Sequence, residues 1–250
     1  MAILKRLSGK TAIITGAGTG LGAAAAERFG QEGANVVINY HGASQTDSAQ
    51  ATVAAVEAAG GRAVAVQGDV TDRGFLEHLF ERAEALGGGA DILVNNAVRM
   101  ILKPIAEVSD SEFDTLMSVN YRSVFFACAT AAKRLRDGGR VLNLSSNSTA
   151  LFLPGYGLYD STKGAVEQIT RLLTLEVGAR GITVNTVSPG PTDTPEFRTR
   201  PKELIARLEH MSPMNRIGTV EEVVNVMVFL ASDEAGWITG QNIRVNGGAA

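Results

Sequence analysis

Thr15-Gly16-Ala17-Gly18-Thr19-Gly20-Leu21-Gly22 is the stretch that decides the fold. It follows an apolar, β-branched run, Thr11 to Ile14, that reads as a strand. It leads into Ala23 to Phe29, an alanine-rich run that reads as a helix. Strand, glycine turn and helix in that order form a grip on a dinucleotide pyrophosphate. Glycines let the backbone turn tightly and approach the phosphates, while a helix N-terminus offers unpaired N–H groups and a partial positive charge. Gly16, Gly18, Thr19, Gly20, Leu21 and Gly22 are therefore the first candidate cofactor contacts. Glycine-rich turns also close ordinary βα units, so a second, independent signal is needed.

Apolar β-branched runs recur along the chain with helical stretches between them. Strands are predicted at Thr11–Thr15, Asn35–Tyr40, Ala63–Gln67, Ile92–Asn95, Val141–Ser145, Thr183–Ser188 and Asn242–Val245. Ser109-Asp110-Ser111-Glu112 and Thr219-Val220-Glu221-Glu222 fit the capping box, in which hydroxyl and carboxylate satisfy each other's orphan N–H groups. The alternation predicts α/β class: a single Rossmann-type domain over residues 1–250, with a doubly wound parallel sheet of about seven strands and helices on both faces. Pro189 to Pro213, rich in Pro, Thr and Arg, reads as the least regular segment. Its place at a strand's carboxyl end, where open α/β sheets bind ligands, predicts a substrate loop at about 190–214.

Composition removes several function classes. At 250 residues and 45% hydrophobic content the chain can bury a large core, and a net charge of −3 gives no electrostatic case for nucleic acid. Cys128 is the only cysteine, so no internal disulfide forms and a cytoplasmic location is expected. His41, His78 and His210 match no metal-ligand spacing, so no metal is expected. No apolar run reaches the ~18 residues a membrane span needs, and Met1 to Lys10 lacks the apolar core of a secretory signal.

The second signal is Tyr159-Asp160-Ser161-Thr162-Lys163, where Tyr159 and Lys163 stand four apart on one helix face. A phenol titrates near pH 10 and is a poor base at neutral pH, but a neighbouring ammonium favours the phenolate. Ser146, thirteen residues before Tyr159 at the end of a predicted strand, offers a hydroxyl to a substrate carbonyl. Tyr/Lys pairs at this spacing are common on surface helices, so the pair counts only together with the glycine turn.

Together these residues make the chain resemble the classical short-chain dehydrogenase/reductase family, over nearly its whole length from Gly9 to Gly248. Thr15, Gly16, Gly20 and Gly22 meet the family's Thr-Gly-x-x-x-Gly-x-Gly signature. Asp69-Val70, Asn95-Asn96-Ala97, Asn120, the Ser146/Tyr159/Lys163 spacing, Pro189-Gly190 with Thr192 and Thr194, and the closing Ile238-Thr239-Gly240-Gln241 and Val245-Asn246-Gly247-Gly248 all fall at family positions. The resemblance implies Tyr159 as general acid or base, and Lys163 as the holder of the nicotinamide ribose that depresses the Tyr159 pKa. It implies that Ser146 orients the carbonyl and that Asn120 anchors a water linking Lys163 to solvent. Asp69, Val70, Asn96, Ala97, Pro189, Gly190 and Thr192 become further expected cofactor contacts. One departure stands out: Val98 replaces the usual glycine of Asn-Asn-Ala-Gly, and a β-branched residue cannot take glycine's left-handed conformations.

An NAD-specific site wants a carboxylate at the end of the second strand, for the adenosine ribose hydroxyls. Here that end reads Asn39-Tyr40-His41-Gly42, with Tyr40 at the acid's position and His41 where NADP-dependent relatives often carry arginine. NADP(H) is favoured and NAD(H) use stays open; the other reading of His41 is a solvated loop residue.

The expected reaction interconverts a ketone and a secondary alcohol, chiefly as carbonyl reduction with NADPH, in the manner of the 3-oxoacyl-acyl-carrier-protein reductases. Ser148 to Tyr156 and Pro191 to Met214 should shape the substrate site, with Leu151, Phe152, Leu153 and Phe197 making it partly apolar. Arg198, Arg200, Lys202 and Arg207 are able to meet an anion, though solvated loop charges explain them as well. Lys133, Arg134 and Arg136 read as helix C-terminal charge, or as a docking patch for an acyl carrier protein. A homotetramer built on the helices near Asp110–Arg136 and Tyr156–Gly178 and on the C-terminal region is implied by the resemblance. The alternatives are a non-catalytic cofactor sensor, which should have lost Ser146, Tyr159 or Lys163, an NAD-dependent alcohol or sugar dehydrogenase, and a nucleotide-sugar epimerase, whose glycine spacing differs.

Overall fold

The computed structural model describes residues 5–250. Seven strands form one sheet: β1 (Thr11–Ile14), β2 (Asn35–Tyr40), β3 (Ala63–Gln67), β4 (Ala90–Asn95), β5 (Leu135–Leu144), β6 (Thr183–Pro189) and β7 (Asn242–Val245). Their order is β3-β2-β1-β4-β5-β6-β7, and every pairing is parallel. The helices are α1 (Gly20–Gln31), α2 (Thr46–Ala58), α3 (Arg73–Gly87), α4 (Asp110–Leu116), α5 (Ser123–Arg134), α6 (Gly157–Val177), α7 (Lys202–Glu209) and α8 (Val220–Ala231).

The strands are apolar without interruption because both sheet faces are covered. Successive side chains point to opposite faces, and each face has its own core. Ala12, Ile14, Val36, Ile38, Ile92, Val94 and Leu142 pack with Phe29 of α1 and Val224, Met227 and Val228 of α8. Ile13, Val37, Leu93 and Val141 pack the other way, against Leu79 and Phe80 of α3, Val124 of α5 and Val166 and Leu173 of α6. Each fully buried Leu, Ile or Phe contributes about 1.5–3 kcal/mol, so the alternation fixes the register of every strand.

Both capping boxes are present: Ser109 with Glu112 starts α4, and Thr219 with Glu222 starts α8. Three elements depart from expectation. β5 begins at Leu135, before the predicted Val141, because the chain pairs Ala90 with Leu135, detours through Gly138 and Gly139, and resumes at Ile92 with Arg140. The predicted long helix near Asp110–Arg136 is interrupted by a π-helical turn at Met117–Arg122. Pro189–Pro213 is not irregular throughout: it contains α7, whose Ile205 packs with Phe197, Ile217 and Leu208 in a small core of its own.

The chain runs outward from β1 to β2 and β3, then returns to place β4 on the other side of β1. That reversal leaves a crevice at the carboxyl ends of β1 and β4, the place where open α/β sheets take ligands.

Candidate active site

The glycine turn crosses this crevice. Gly16 (φ +61°) and Gly20 (φ +59°) sit in the left-handed region that favours glycine. A Cβ on Gly16 would come within 2.8 Å of the Ala97 backbone, and one on Gly22 within 2.6 Å of the Gly16 carbonyl. Thr15 Oγ1 accepts the Asn96 and Ala97 backbone N–H groups at 3.0 and 3.1 Å, while Asn96 Nδ2 donates to the Thr15 and Gly16 carbonyls at 2.9 and 3.0 Å. Asn96 therefore braces the turn with its side chain. At the head of α1, Thr19 makes no side-chain cap, so the first-turn amides are left for an anion. This cradle fits a dinucleotide pyrophosphate.

Beside it, Tyr40 is 6% exposed and packs with the core, its Cβ 3.0 Å from where a Gly18 Cβ would stand. Its strand position carries no carboxylate, and His41 is exposed. Gln45, missed in the sequence, accepts the His41 N–H at 3.2 Å and packs near Gly18. Asp69 is exposed and turns its carboxylate back to the Thr71 N–H at 2.8 Å, while Val70 is buried. On the far side, Gly190 N donates to the Val245 carbonyl at 2.9 Å, and a Gly190 Cβ would lie 2.9 Å from Asn246 Cα, which locks the Pro189-Gly190 corner against the last strand. Thr192 Oγ1 donates to the Gly190 carbonyl at 2.9 Å. Val98 carries no left-handed φ, Asn215 being the one non-glycine residue recorded there among the described residues, so the valine is accommodated by ordinary backbone.

Ser146, Tyr159 and Lys163 meet where β5 ends and α6 begins. Lys163 is 2% exposed and donates from Nζ to the Leu144 carbonyl at 2.8 Å; Nζ lies 5.8 Å from the Tyr159 ring centroid. Burial pushes the Lys163 ammonium down to about 8 from 10.5. Burial likewise pushes the Tyr159 hydroxyl up to about 12 from 10.0, against the pull of the Ser146 hydroxyl and the Arg200 charge. Desolvation is the largest influence on both groups, and Lys163 Nζ bonds the Leu144 carbonyl.

Asn120 is fully buried in the π-helical turn. Its Oδ1 accepts the Arg99 N–H at 2.8 Å, and its Nδ2 donates to the Arg99 carbonyl at 2.9 Å and to Thr162 Oγ1 at 3.3 Å. The side chain thus ties the loop after β4 to α6. Single-turn π insertions of this kind concentrate at functional sites. Beneath the site runs a buried polar ladder: Asn95 to Asn143 at 2.8 Å, Asn143 to Thr170 at 2.9 Å, and Thr186 to Thr170 at 2.7 Å. Cys128 contacts it, and burial pushes its thiol up to about 12, which makes it an inert filler.

Comparison with known proteins decides the family. The family model described as Enoyl-(Acyl carrier protein) reductase matches residues 16–250. The versicolorin reductase stcU of Emericella nidulans is 38% identical over 257 residues, covering 98% of this chain and 97% of that one. This chain is a short-chain dehydrogenase/reductase. A second relative in this family, 3beta-hydroxysteroid dehydrogenase 1 of Eggerthella lenta, is 40% identical over 247 residues, covering 97% of this chain and 94% of that one. Among solved structures, angucycline C-6 ketoreductase LanV with bound NADP superposes with a TM-score of 0.91 at 37% identity, covering 98% of this chain and 96% of that one. As a short-chain dehydrogenase/reductase the chain is an NAD(P)-dependent oxidoreductase acting between CH–OH and C=O.

Proposed function

We propose that this short-chain dehydrogenase/reductase reduces a ketone to a secondary alcohol with NADPH. The observation that carries the reading is the meeting of Ser146, Tyr159 and Lys163 where β5 ends and α6 begins, with Lys163 Nζ 5.8 Å from the Tyr159 ring centroid, beside the glycine cradle. A buried phenol held at about 12 keeps its proton at neutral pH and has it ready for the oxygen of a carbonyl under reduction. A nicotinamide bound there would supply the hydride. Gly16 to Gly22 would hold its pyrophosphate, and Lys163, charged at neutral pH with a pKa of about 8, would hold its ribose and steady the phenolate left after proton donation. Ser146 would align the carbonyl. The missing carboxylate after β2 removes the charge that repels a 2′-phosphate, and NADP in the LanV structure supports the same preference.

The mouth of the site supports an apolar ketone. Val98, Met100, Leu102 and Phe152 are exposed around it, and Lys103 N bonds the Gly155 carbonyl at 2.9 Å, joining the loop after β4 to the segment before α6. A versicolorin reductase and an angucycline C-6 ketoreductase are among the similar proteins, which supports a ketone substrate. The carrier-protein partner gains no support. Arg134 is paired with Glu77 and Glu84, and Arg136 with Asp91, which leaves Lys133 the one exposed base of that cluster. Exposed Leu172 and Leu175 on α6, Phe125 on α5 and Trp237 support a homotetramer. No helix among the described residues is long and apolar enough to cross a membrane.

The test is the kcat/KM ratio for NADPH over NADH with polycyclic aromatic ketones, β-keto esters, an acetoacetyl thioester and sugars. The reading expects NADPH and the aromatic ketones to be preferred; a preference for NADH, or turnover confined to sugars, contradicts it.

A further inference from the structure

Ser146 does not stand alone. Its Oγ lies 2.7 Å from Ser148 Oγ, and Ser148 Oγ donates to Asp160 Oδ1 at 2.5 Å. The Ser148 backbone N–H also donates to Ser146 Oγ at 3.2 Å. Ser148 is 5% exposed and Asp160 half-buried, so solvent competes poorly for these bonds. Each hydroxyl has one proton. An ionised Asp160 takes the proton of Ser148, and Ser148 then accepts the proton of Ser146. Ser146 is left presenting lone pairs to a substrate oxygen, the wrong polarity for a carbonyl. A protonated Asp160 lets the order reverse: it donates to Ser148, Ser148 donates to Ser146, and the Ser146 proton points to the substrate.

We propose that Asp160, acting through Ser148, is a positioning residue that sets the proton direction of Ser146, so that carbonyl reduction is gated by the Asp160 proton. This rests on the reductase reading above. Asp160 follows Tyr159 on α6, one turn after Tyr156; further along the helix Glu167 adds its negative charge. The turn at Asn147–Ala150 faces it with neutral groups, chiefly the Ser148 hydroxyl. Arg200, from the segment before α7, acts on Tyr159, and Lys163 turns to the Leu144 carbonyl. Burial and Glu167 raise the Asp160 carboxyl above its ordinary 3.8, while Ser148 pulls it down. Both raising influences move the gate toward neutral pH. The balance is simple: Tyr159 gives its proton to the substrate oxygen, and Ser146, Ser148 and Asp160 exchange hydrogen-bond order with no net transfer.

Two measurements test this. In the wild type, kcat/KM for reduction should fall roughly tenfold as pH rises through the Asp160 step, the worth of one donor to the carbonyl oxygen. Asp160→Asn offers an amide donor at all pH, and Ser148→Ala leaves Ser146 no acceptor; both should abolish that fall. Profiles of unchanged shape in both variants overturn the proposal. The second measurement needs no substrate: NMR of protein labelled with [13Cζ]-tyrosine, with the Tyr159 signal assigned from Tyr159→Phe. Ser148→Ala keeps the Asp160 charge but frees the Ser146 proton for the phenolate, so Tyr159 should ionise roughly one pH unit lower than in the wild type. An unshifted Tyr159 titration overturns the proposal. A wild type without any ketone reduction defeats the reductase reading instead, and the NMR arm still decides the direction of the hydrogen-bond chain.

Discussion

Gly22→Ala adds one methyl group in the first turn of α1, and the structure says what that methyl meets. An added Cβ would lie 2.5 Å from Asn96 Nδ2, 2.6 Å from the Gly16 carbonyl oxygen and 2.9 Å from Ala17 Cα. Ordinary contact starts near 3.4 Å, so the neighbours must retreat by about 0.9 Å, and two of the three are backbone. The side chain that moves most easily is Asn96, which would surrender its bonds to the Thr15 and Gly16 carbonyls. Two hydrogen bonds at about 1 kcal/mol each and an overpacking cost of about 1–3 kcal/mol give a loss of about 3–5 kcal/mol. In a chain of this length that lowers Tm by about 10 °C. Thermal unfolding by circular dichroism, with and without NADP+, reads the result. The wild type should be stabilised by saturating NADP+, and Gly22→Ala should unfold earlier with that stabilisation lost. Gly164→Ala is the control: nothing lies within 4 Å of its added Cβ, and the helix interior should gain up to about 1 kcal/mol. A Gly22→Ala protein with wild-type Tm and an intact response to NADP+ would refute the reasoning.

Other outcomes follow from the buried and paired charges. Lys163→Met should raise the stability of the cofactor-free protein at pH 7 by on the order of 1–3 kcal/mol while abolishing turnover, because a buried ammonium bonded to one carbonyl is replaced by an apolar chain. Lys163 has its pKa lowered to about 8 from 10.5, so its cost is complete below pH 8 and is relieved as pH rises toward 10.5. The stability gain of Lys163→Met should shrink over that window; a gain that does not vary with pH, or a loss, contradicts this. Glu32 is held at about 2 by Arg6 first, with Arg28 assisting, so its contribution is present above its ordinary 4.5 and is lost as pH falls through about 2. Acid titration of Tm should bring wild type and Glu32→Gln together near pH 2, with wild type the more stable at pH 7; curves parallel throughout would show that the pair contributes nothing.

The parts of the fold that were legible in the sequence rest on local chemistry. Gly16 and Gly20 announce their left-handed turns because few other residues take them, and the two capping boxes mark helix starts by hydroxyl and carboxylate alone. β2, β3 and β7 match their predicted bounds because β-branched runs end cleanly there. Gly138-Gly139 masked the start of β5: a glycine pair reads as a break, and only the neighbouring β4 shows that the strand resumes after a detour. The π-helical turn at Asn120 has no sequence signal, since tertiary bonds to Arg99 and Thr162 stabilise the extra residue. α7 hid among Pro, Thr and Arg, because its apolar contribution is a few residues docked on Phe197 and Ile217. At the site, spacing placed Ser146, Tyr159 and Lys163 together, but desolvation is set by packing. At Tyr159 burial is the largest influence, and it raises the hydroxyl. The bracing of the glycine turn by the Asn96 side chain and the burial of Tyr40 against it come from packing and have no sequence signal.

The most direct test of the central claim follows deuterium from NADPH labelled at the transferable position into a ketone. The account predicts an alcohol deuterated at the carbinol carbon with wild-type protein. With Tyr159→Phe it predicts a rate at least about 100-fold lower, consistent with loss of a general acid, although NADPH still binds. Deuterated alcohol formed at the wild-type rate by Tyr159→Phe would contradict it.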